Sequence, residues 1–225
     1  MSSSALPVSH AHHGHDDPTL QDHFSTKEQQ FDTAKLGMWL FLTTEILMFG
    51  GLFVGFGLMQ AKFPDAFLAA HHHLDRSLGA LNTIVLLISS FTMVMAVWAA
   101  SKSKQKLLVG YLSVTLLCAA TFLVVKFFEY AHKFHDGLLP GRFFDTHLHP
   151  TPEHQATFFS FYFMMTGLHG IHILGGMVVI TWLLIRATKG HFNANYYTPV
   201  DLVGLYWHLV DMIWIYLFPL LYLIQ

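Results

Sequence analysis

The sequence predicts an all-α integral membrane bundle of five transmembrane helices, preceded by a disordered polar tail. Hydrophobic residues make up 53% of the chain and charged residues only 12%, which is unlike a soluble domain. Five apolar runs each exceed the roughly 20 residues that a helix needs to cross a bilayer. Strands of a membrane barrel would be about 10 residues long with strict alternation. Because lipid offers the backbone no hydrogen-bond partner, these runs must be helices.

The predicted spans have polar connections, and a polar segment precedes the first of them. In chain order they cover residues 36–59, 78–100, 107–130, 156–185 and 200–224. Residues 1–31 are rich in Ser and His and have no hydrophobic periodicity. Such a segment cannot bury a core, so we predict that it is disordered. Residues 32–225 then form the transmembrane domain.

Charge and cysteine content exclude several classes of protein. The formal net charge is −2, and no basic stripe is present, so a nucleic-acid partner is not expected. The single cysteine, Cys118, lies inside an apolar run. An intrachain disulfide and a cysteine-based metal site are therefore excluded.

Positive charges near the span ends predict the orientation, because cytoplasmic loops retain an excess of Lys and Arg. The tail side holds Lys27, Lys35, Lys102, Lys104, Lys106, Arg186 and Lys189, whereas the other side holds Lys62, Arg76, Lys133 and Arg142. We therefore expect a cytoplasmic N-terminus and a C-terminus on the outer face.

Ionisable residues inside the spans are the main candidates for function. They are Glu45, His169, His172, His208 and Asp211. At about 1.5 Å per residue they lie roughly 13 to 25 Å from the cytoplasmic ends, in one slab near the midplane. Each costs at least about 2.5 to 3.5 kcal/mol on insertion scales, so each requires a partner or a purpose.

Several interpretations of these five residues remain open. They can form a buried proton-holding network or a metal site, or they can simply hydrogen-bond neighbouring helices. Haem ligation by imidazole is a further alternative, but spans two and three offer no additional ligands at that depth. Glu45 has no charged neighbour within its span, which favours the protonated acid. For Asp211 we expect His172 or Trp207 as partner.

For the charged and histidine-rich positions outside the midplane we expect an ion pair at a helix end and no specific metal site. Lys126 and Glu129 are three residues apart near the outer end of span three, so we expect them to pair and to snorkel to the interface. Histidine clusters lie in the tail and in the outer loops, where only adventitious metal binding is expected. They comprise His10, His12, His13, His15, His71, His72, His73, His132, His135, His147, His149 and His154.

Five segments resemble one membrane-protein family in the same order. The segments are GMWLFLTTEILMFGGLF (37–53), LNTIVLLISSFT (81–92), FFEYAHKFHDG (127–137), FFSFYFMMTGLHGIHILGG (158–176) and YWHLVDMIWIYLFPLLYLI (206–224). Together they are similar to subunit III of haem-copper terminal oxidases. The chain lacks the first two helices of the seven-helix members and so resembles the five-helix bacterial form.

The resemblance implies a subunit of the bacterial cytoplasmic (inner) membrane without its own redox centre. It would bind the catalytic subunit I, together with subunit II and small subunits, in a proton-pumping respiratory oxidase that oxidises cytochrome c. Haem and copper would lie in those partner subunits, and bound phospholipid is compatible with this chain. By position, Glu45 matches the family's carbodiimide-reactive glutamate, and His172, His208 and Asp211 match its intramembrane polar residues.

Three alternatives stay open beside the cytochrome c oxidase subunit. Two are close, namely subunit III of a quinol oxidase and the homologue associated with nitric oxide reductase. The third is a small proton-coupled transporter, which midplane carboxylates permit. The absence of internal repeats and broken helices from the sequence argues against it.

Overall fold

Six helices make up the described part of the chain in the computed structural model, which covers residues 24–72, 74–135, 137–138, 155–194 and 196–223. The helices are α1 (Lys27–Lys62), α2 (Pro64–His71), α3 (Arg76–Ser101), α4 (Gln105–His135), α5 (Gln155–Thr188) and α6 (Thr198–Tyr222). All except α2 are long and apolar enough to cross a membrane. The prediction of an all-α bundle with five spans is therefore confirmed.

Helix α1 begins earlier than the sequence interpretation allowed. Thr26 caps it, since its Oγ1 accepts the Gln29 amide proton at 3.1 Å. In return, the Gln29 Oε1 accepts the Ser25 amide proton at 3.1 Å. This reciprocal arrangement resembles a capping box and starts the helix at Lys27, within the predicted tail. The prediction for residues 1–23 lies outside the described residues.

The sequence interpretation missed the short helix α2 because only runs long enough to span a bilayer were considered. Pro64 occupies its first turn, where a missing amide proton has no cost. Phe67 anchors it, with its ring 5.1 Å from that of Phe56 and 5.5 Å from that of Phe158. Helix α2 therefore packs on the ends of α1 and α5 and spans nothing.

Helices α3 and α4 form an antiparallel hairpin. Helix α6 packs against α3 and α5. Helix α1 lies at the edge of the bundle, where it contacts α5, α6 and α2. Much of α1 is exposed, including Leu47 and Leu58. An apolar face of this kind is suited to lipid or to another membrane subunit.

A glycine sets the distance between α5 and α6. A Cβ added at Gly176 would lie 2.5 Å from Cζ3 of Trp207. Trp207 is fully buried, and its Nε1 donates to Ser89 Oγ on α3 at 2.9 Å. The indole therefore joins three helices, and only glycine lets it lie so close to α5.

We predict that Gly176→Ala destabilises the bundle, because the methyl group forces Trp207 out of its site. Overpacking of this kind costs about 1 to 3 kcal/mol. Thermal unfolding of the purified protein in detergent is the measurement. Gly170→Ala on the same helix is the matched control, since a Cβ there meets nothing within 4 Å. Equal melting temperatures for both variants would contradict the prediction.

Candidate functional site

The structure distributes the five intramembrane candidates over separate helix interfaces instead of one network. Glu45 and His172 meet between α1 and α5. His208 contacts α3 through Ser90. His169 and Asp211 are buried without a hydrogen-bond partner among the described residues.

The Glu45 and His172 side chains form a hydrogen bond of 2.8 Å between Oε2 and Nε2. The other ring nitrogen, Nδ1, lies 2.8 Å from the backbone oxygen of Leu168. Because a carbonyl oxygen only accepts, Nδ1 must carry a proton. One further proton then lies between Nε2 and Oε2, either on the carboxyl or on the ring. The pair therefore holds a single shared proton.

The expectation for Glu45 concerned its own span only, and the structure adds a partner from another helix, His172. His172 lies on another helix, so the charge-free surroundings of Glu45 within its own span did not reveal it. The two side chains are 13% and 15% exposed, which leaves the pair accessible at the edge of the bundle. Tyr206 holds the α5 backbone there, because its hydroxyl donates to the His172 carbonyl oxygen at 2.9 Å.

His208 and Asp211 lie on α6 but have different surroundings. The Nδ1 of His208 lies 2.8 Å from Ser90 Oγ. Asp211 is 2% exposed, and neither carboxyl oxygen has a hydrogen-bond partner among the described residues. The expected bond to His172 or Trp207 is absent, since those side chains bond Glu45 and Ser89 instead.

Aromatic side chains surround His169. Its ring stacks on Trp214 at a centroid distance of 5.3 Å and an interplanar angle of 29°. Phe122 approaches edge-on at 5.5 Å. Neither ring nitrogen has a hydrogen-bond partner in the part of the chain described. Within that part, no three His, Cys, Asp or Glu side chains come together as a metal-ligand group.

Lys126 and Glu129 form a contact of 2.9 Å, but they do not snorkel to the interface. Their exposed fractions are only 7% and 3%. The hydroxyls of Tyr162 and Tyr222 donate to Glu129 Oε1 at 2.8 and 2.6 Å. Lys133 Nζ lies 3.8 Å from the same oxygen. The pair is therefore the centre of a buried polar cluster.

This cluster joins α4 to α5 and α6 near one end of the bundle. Lys126 Nζ also lies 4.8 Å from the ring centroid of Trp214, so the ammonium group has aromatic as well as ionic neighbours. Sequence reasoning missed the tyrosines because it considered pairs within one helix. The Lys133 spacing of four residues from Glu129 was the available signal.

Among the outer histidines, His71 has a defined role. Its Nδ1 lies 2.7 Å from the Leu68 carbonyl oxygen, and an Arg76 nitrogen lies 2.7 Å from its Nε2. A carbonyl accepts and a guanidinium donates, so this ring is neutral and links α2 to α3. Eight of the other predicted positions lie outside the described residues, namely His10, His12, His13, His15, His73, His147, His149 and His154.

These features define a class of protein, a polytopic α-helical membrane protein whose spans enclose carboxylates and histidines at helix interfaces. The family model described as cytochrome c oxidase subunit III matches residues 16–225. The chain belongs to the cytochrome c oxidase subunit III family.

Curated relatives carry two kinds of name. A probable quinol oxidase subunit 3 from Staphylococcus saprophyticus is 31% identical over 84% of this chain and 88% of its own length. A probable cytochrome c oxidase subunit 3 from Nocardia farcinica is 31% identical over 85% of this chain and 88% of its own. A probable quinol oxidase subunit 3 from Staphylococcus haemolyticus is 30% identical over 93% of this chain and 96% of its own length. The chain therefore resembles subunits given both names to a similar degree.

We predict that Glu129→Gln destabilises the protein, because it leaves the Lys126 ammonium group buried without its counter-charge. Removing one partner of a buried ion pair costs about 3 to 5 kcal/mol. Thermal unfolding in detergent measures the loss. The double variant Lys126→Met with Glu129→Gln should recover part of it, since no uncompensated charge then remains at Lys126. A double variant less stable than Glu129→Gln alone would refute this explanation.

Proposed function

We propose that this chain is the non-catalytic subunit III of a proton-pumping bacterial respiratory oxidase, where it stabilises subunit I and supports proton uptake. The observation that carries the proposal is the shared proton between Glu45 and His172. A carboxyl and an imidazole that hold one proton between them have no net charge in lipid, whichever of the two groups carries that proton. Family membership supports the assignment to an oxidase.

The position of the pair suits this role. Both side chains are partly exposed, and Glu45 lies on α1, the long helix with the fewest buried residues among those described. Leu42, Phe49 and Phe56 are the buried residues of α1, and most of its other apolar side chains face outward. A partner subunit seated on α1 would therefore cover the pair and exchange protons with it. We propose subunit I as that partner, with subunit II and small subunits in the same complex.

Redox chemistry belongs, in this proposal, to the partner subunits. They hold haem and copper and transfer electrons to oxygen, and this chain contributes no ligand to either. Phospholipid bound to the apolar faces completes the proposed complex. We favour cytochrome c as the electron donor. A quinol oxidase is the second candidate, since two of the relatives described above carry that name.

The proposed orientation in the bacterial inner membrane has the N-terminus cytoplasmic and the C-terminus outside. The division of Lys and Arg supports it. Lys104 in the α3–α4 connection and Lys62 at the end of α1 are both exposed and lie at opposite ends of the bundle. These two positions make the orientation testable.

We predict that a cysteine at Lys104 resists a membrane-impermeant thiol reagent in intact cells, whereas one at Lys62 reacts. Both are placed in a Cys118→Ser background, which removes the native thiol. Permeabilised cells provide the control, because both positions should then react. Labelling of Lys104→Cys alone in intact cells would reverse the orientation.

We further predict that Glu45→Gln impairs proton uptake or shortens the turnover lifetime several-fold while the subunit stays in the complex. The amide of Gln can donate to Nε2 of neutral His172 and so preserve the contact, but it cannot hold the shared proton. Carbodiimide labelling at this position should disappear, and the haem spectra should be unchanged because the redox centres lie elsewhere.

Glu45→Leu is the matched comparison, since it removes both the proton and the hydrogen bond and should weaken subunit retention. Normal proton uptake and lifetime in Glu45→Gln, with loss of retention only in Glu45→Leu, would make the pair purely structural. Shifted haem spectra with subunit I intact would mean that this chain contacts a redox centre.

A further inference from the structure

A groove between α3 and α6 lies on the outside of the bundle and contains neither Glu45 nor His172. Its volume is about 260 Å³, and its apolar walls are Val94 and Val97 from α3 and Leu205 from α6. Val94 is 47% exposed, so the groove is open to the lipid from the side. Sites for drug-sized ligands measure about 300 to 1,000 Å³. A groove of this volume is suited to a single substituted ring.

Two charged contacts lie at the end of this groove at which α6 begins. Asp201 lines the groove and pairs with Lys35 of α1 at 3.3 Å. Trp98 also lines it, and Lys104 Nζ lies 4.5 Å from the centroid of its rings. Tryptophan and charged side chains are typical of the boundary between lipid and water. This end of the groove therefore lies near the headgroups, and the other end reaches into the membrane.

His208 lines the part of the groove that lies deeper in the membrane. It follows the first residue of α6, Thr198, by about 15 Å along the helix. Its Nδ1 lies 2.8 Å from Ser90 Oγ, whereas its Nε2 has no hydrogen-bond partner among the described residues. Nε2 is therefore the hydrogen-bonding atom that this imidazole can offer to a molecule in the groove.

The free nitrogen of His208 determines which kind of molecule fits. An acyl chain in the groove would cover Nε2 without a hydrogen bond, and a polar atom left in this state is costly in lipid. A molecule that carries an oxygen on an otherwise apolar body avoids this cost. The groove therefore favours a lipid-soluble ring with carbonyl or hydroxyl groups over a plain hydrocarbon chain.

The contact with Ser90 lets the neutral imidazole bind either kind of oxygen. When the Ser90 hydroxyl donates to Nδ1, the proton of the ring is on Nε2 and can be donated to a carbonyl. When Nδ1 donates to Ser90 Oγ, Nε2 is free to accept from a hydroxyl. A quinone presents carbonyl oxygens, and the quinol formed by its reduction presents hydroxyls. One imidazole can thus bind both forms of the same ligand.

We propose that the groove between α3 and α6 binds the ring of a membrane-soluble quinone or of its quinol, with one ring oxygen hydrogen-bonded to His208 Nε2. The ring lies against the apolar walls, and the hydrocarbon tail leaves through the opening beside Val94. The site binds and orients the ligand. No covalent bond forms or breaks in this chain, and no electron is transferred in it.

This inference deepens the second candidate of the proposed function, a quinol oxidase, and rests on that candidate only for the role of the ligand in the complex. Binding itself is a property of this chain and uses none of the residues of the Glu45–His172 pair. Normal proton uptake in Glu45→Gln would leave the quinone site intact. A chain that binds no quinone would leave the subunit III assignment and the Glu45–His172 pair intact.

Photoaffinity labelling of the purified full chain in neutral detergent tests the proposal. The probe is a decyl quinone that carries an azido group on its ring, and mass spectrometry of peptides locates the label. We expect label on the α3 residues 94–98 and the α6 residues 205–208. Unlabelled decylubiquinone and its quinol should both displace the probe, with affinities within a few-fold of each other, because His208 serves both forms.

Three variants test the residues that form the site. His208→Leu should weaken decylubiquinone binding roughly tenfold, an effect typical of a polar group left unpaired. Val94→Phe should reduce labelling because the larger side chain narrows the opening. Met212→Phe is the matched control, since Met212 is also exposed on α6 but lines a separate groove with Ile46 and Phe49 of α1. Its labelling should equal that of the unsubstituted chain.

Several results would overturn the proposal. Absence of label from residues 94–98 and 205–208 of the unsubstituted chain would do so even if His208→Leu failed to fold. Displacement of the probe by oleate as readily as by decylubiquinone would make the groove a site for any alkyl chain. Equal binding by His208→Leu and Met212→Phe would remove the role of the imidazole. Loss of His208→Leu from the assembled complex, without quinone labelling of the unsubstituted chain, would assign the groove to a partner helix.

Discussion

Hydrocarbon offers no hydrogen-bond partner to a peptide group or to a polar side chain, and the whole bundle is arranged under that constraint. The backbone meets it by forming helices. Polar side chains meet it by turning to helix interfaces, as Trp207 does toward Ser89 and Thr92 toward Thr115. Apolar side chains are left to face outward, which is why α1 exposes so many of them. Polar and charged side chains are consequently among the residues buried in the core.

Three solutions to burying charge coexist in this bundle. Around Glu129, opposite charges and tyrosine hydroxyls saturate the carboxylate. At Glu45 and His172, one proton is shared, so the pair need not carry net charge. At Asp211, neither carboxyl oxygen has a hydrogen-bond partner among the described residues, and such surroundings favour the protonated acid. The first arrangement fixes helices rigidly, whereas the other two make the state of the site depend on a proton.

The sequence predicted the spans well because continuous hydropathy determines them directly. The sequence predicted poorly which side chains contact each other, because such contacts depend on the rotation of each helix about its axis as well as on depth in the membrane. Counting from the cytoplasmic ends placed Glu45 at about 15 Å and His172 at about 21 Å, yet their side chains are in contact. Helix α2 was not predicted, because only segments long enough to span the bilayer were considered and its 8 residues are too few. The sequence predicted the Lys126–Glu129 pair of this cluster but not the contacts of Tyr162 and Tyr222, because these tyrosines lie on other helices.

The hydrogen bond between Glu45 and His172 is one of the polar contacts that attach α1 to the bundle. The buried apolar contacts of α1 are few, so the polar bond to α5 and the Lys35–Asp201 bridge to α6 contribute much of its directional attachment. Because Nδ1 of His172 already donates to a carbonyl, loss of the shared proton would leave two lone pairs facing each other. The contact between α1 and α5 at this position therefore requires a proton between Oε2 and Nε2.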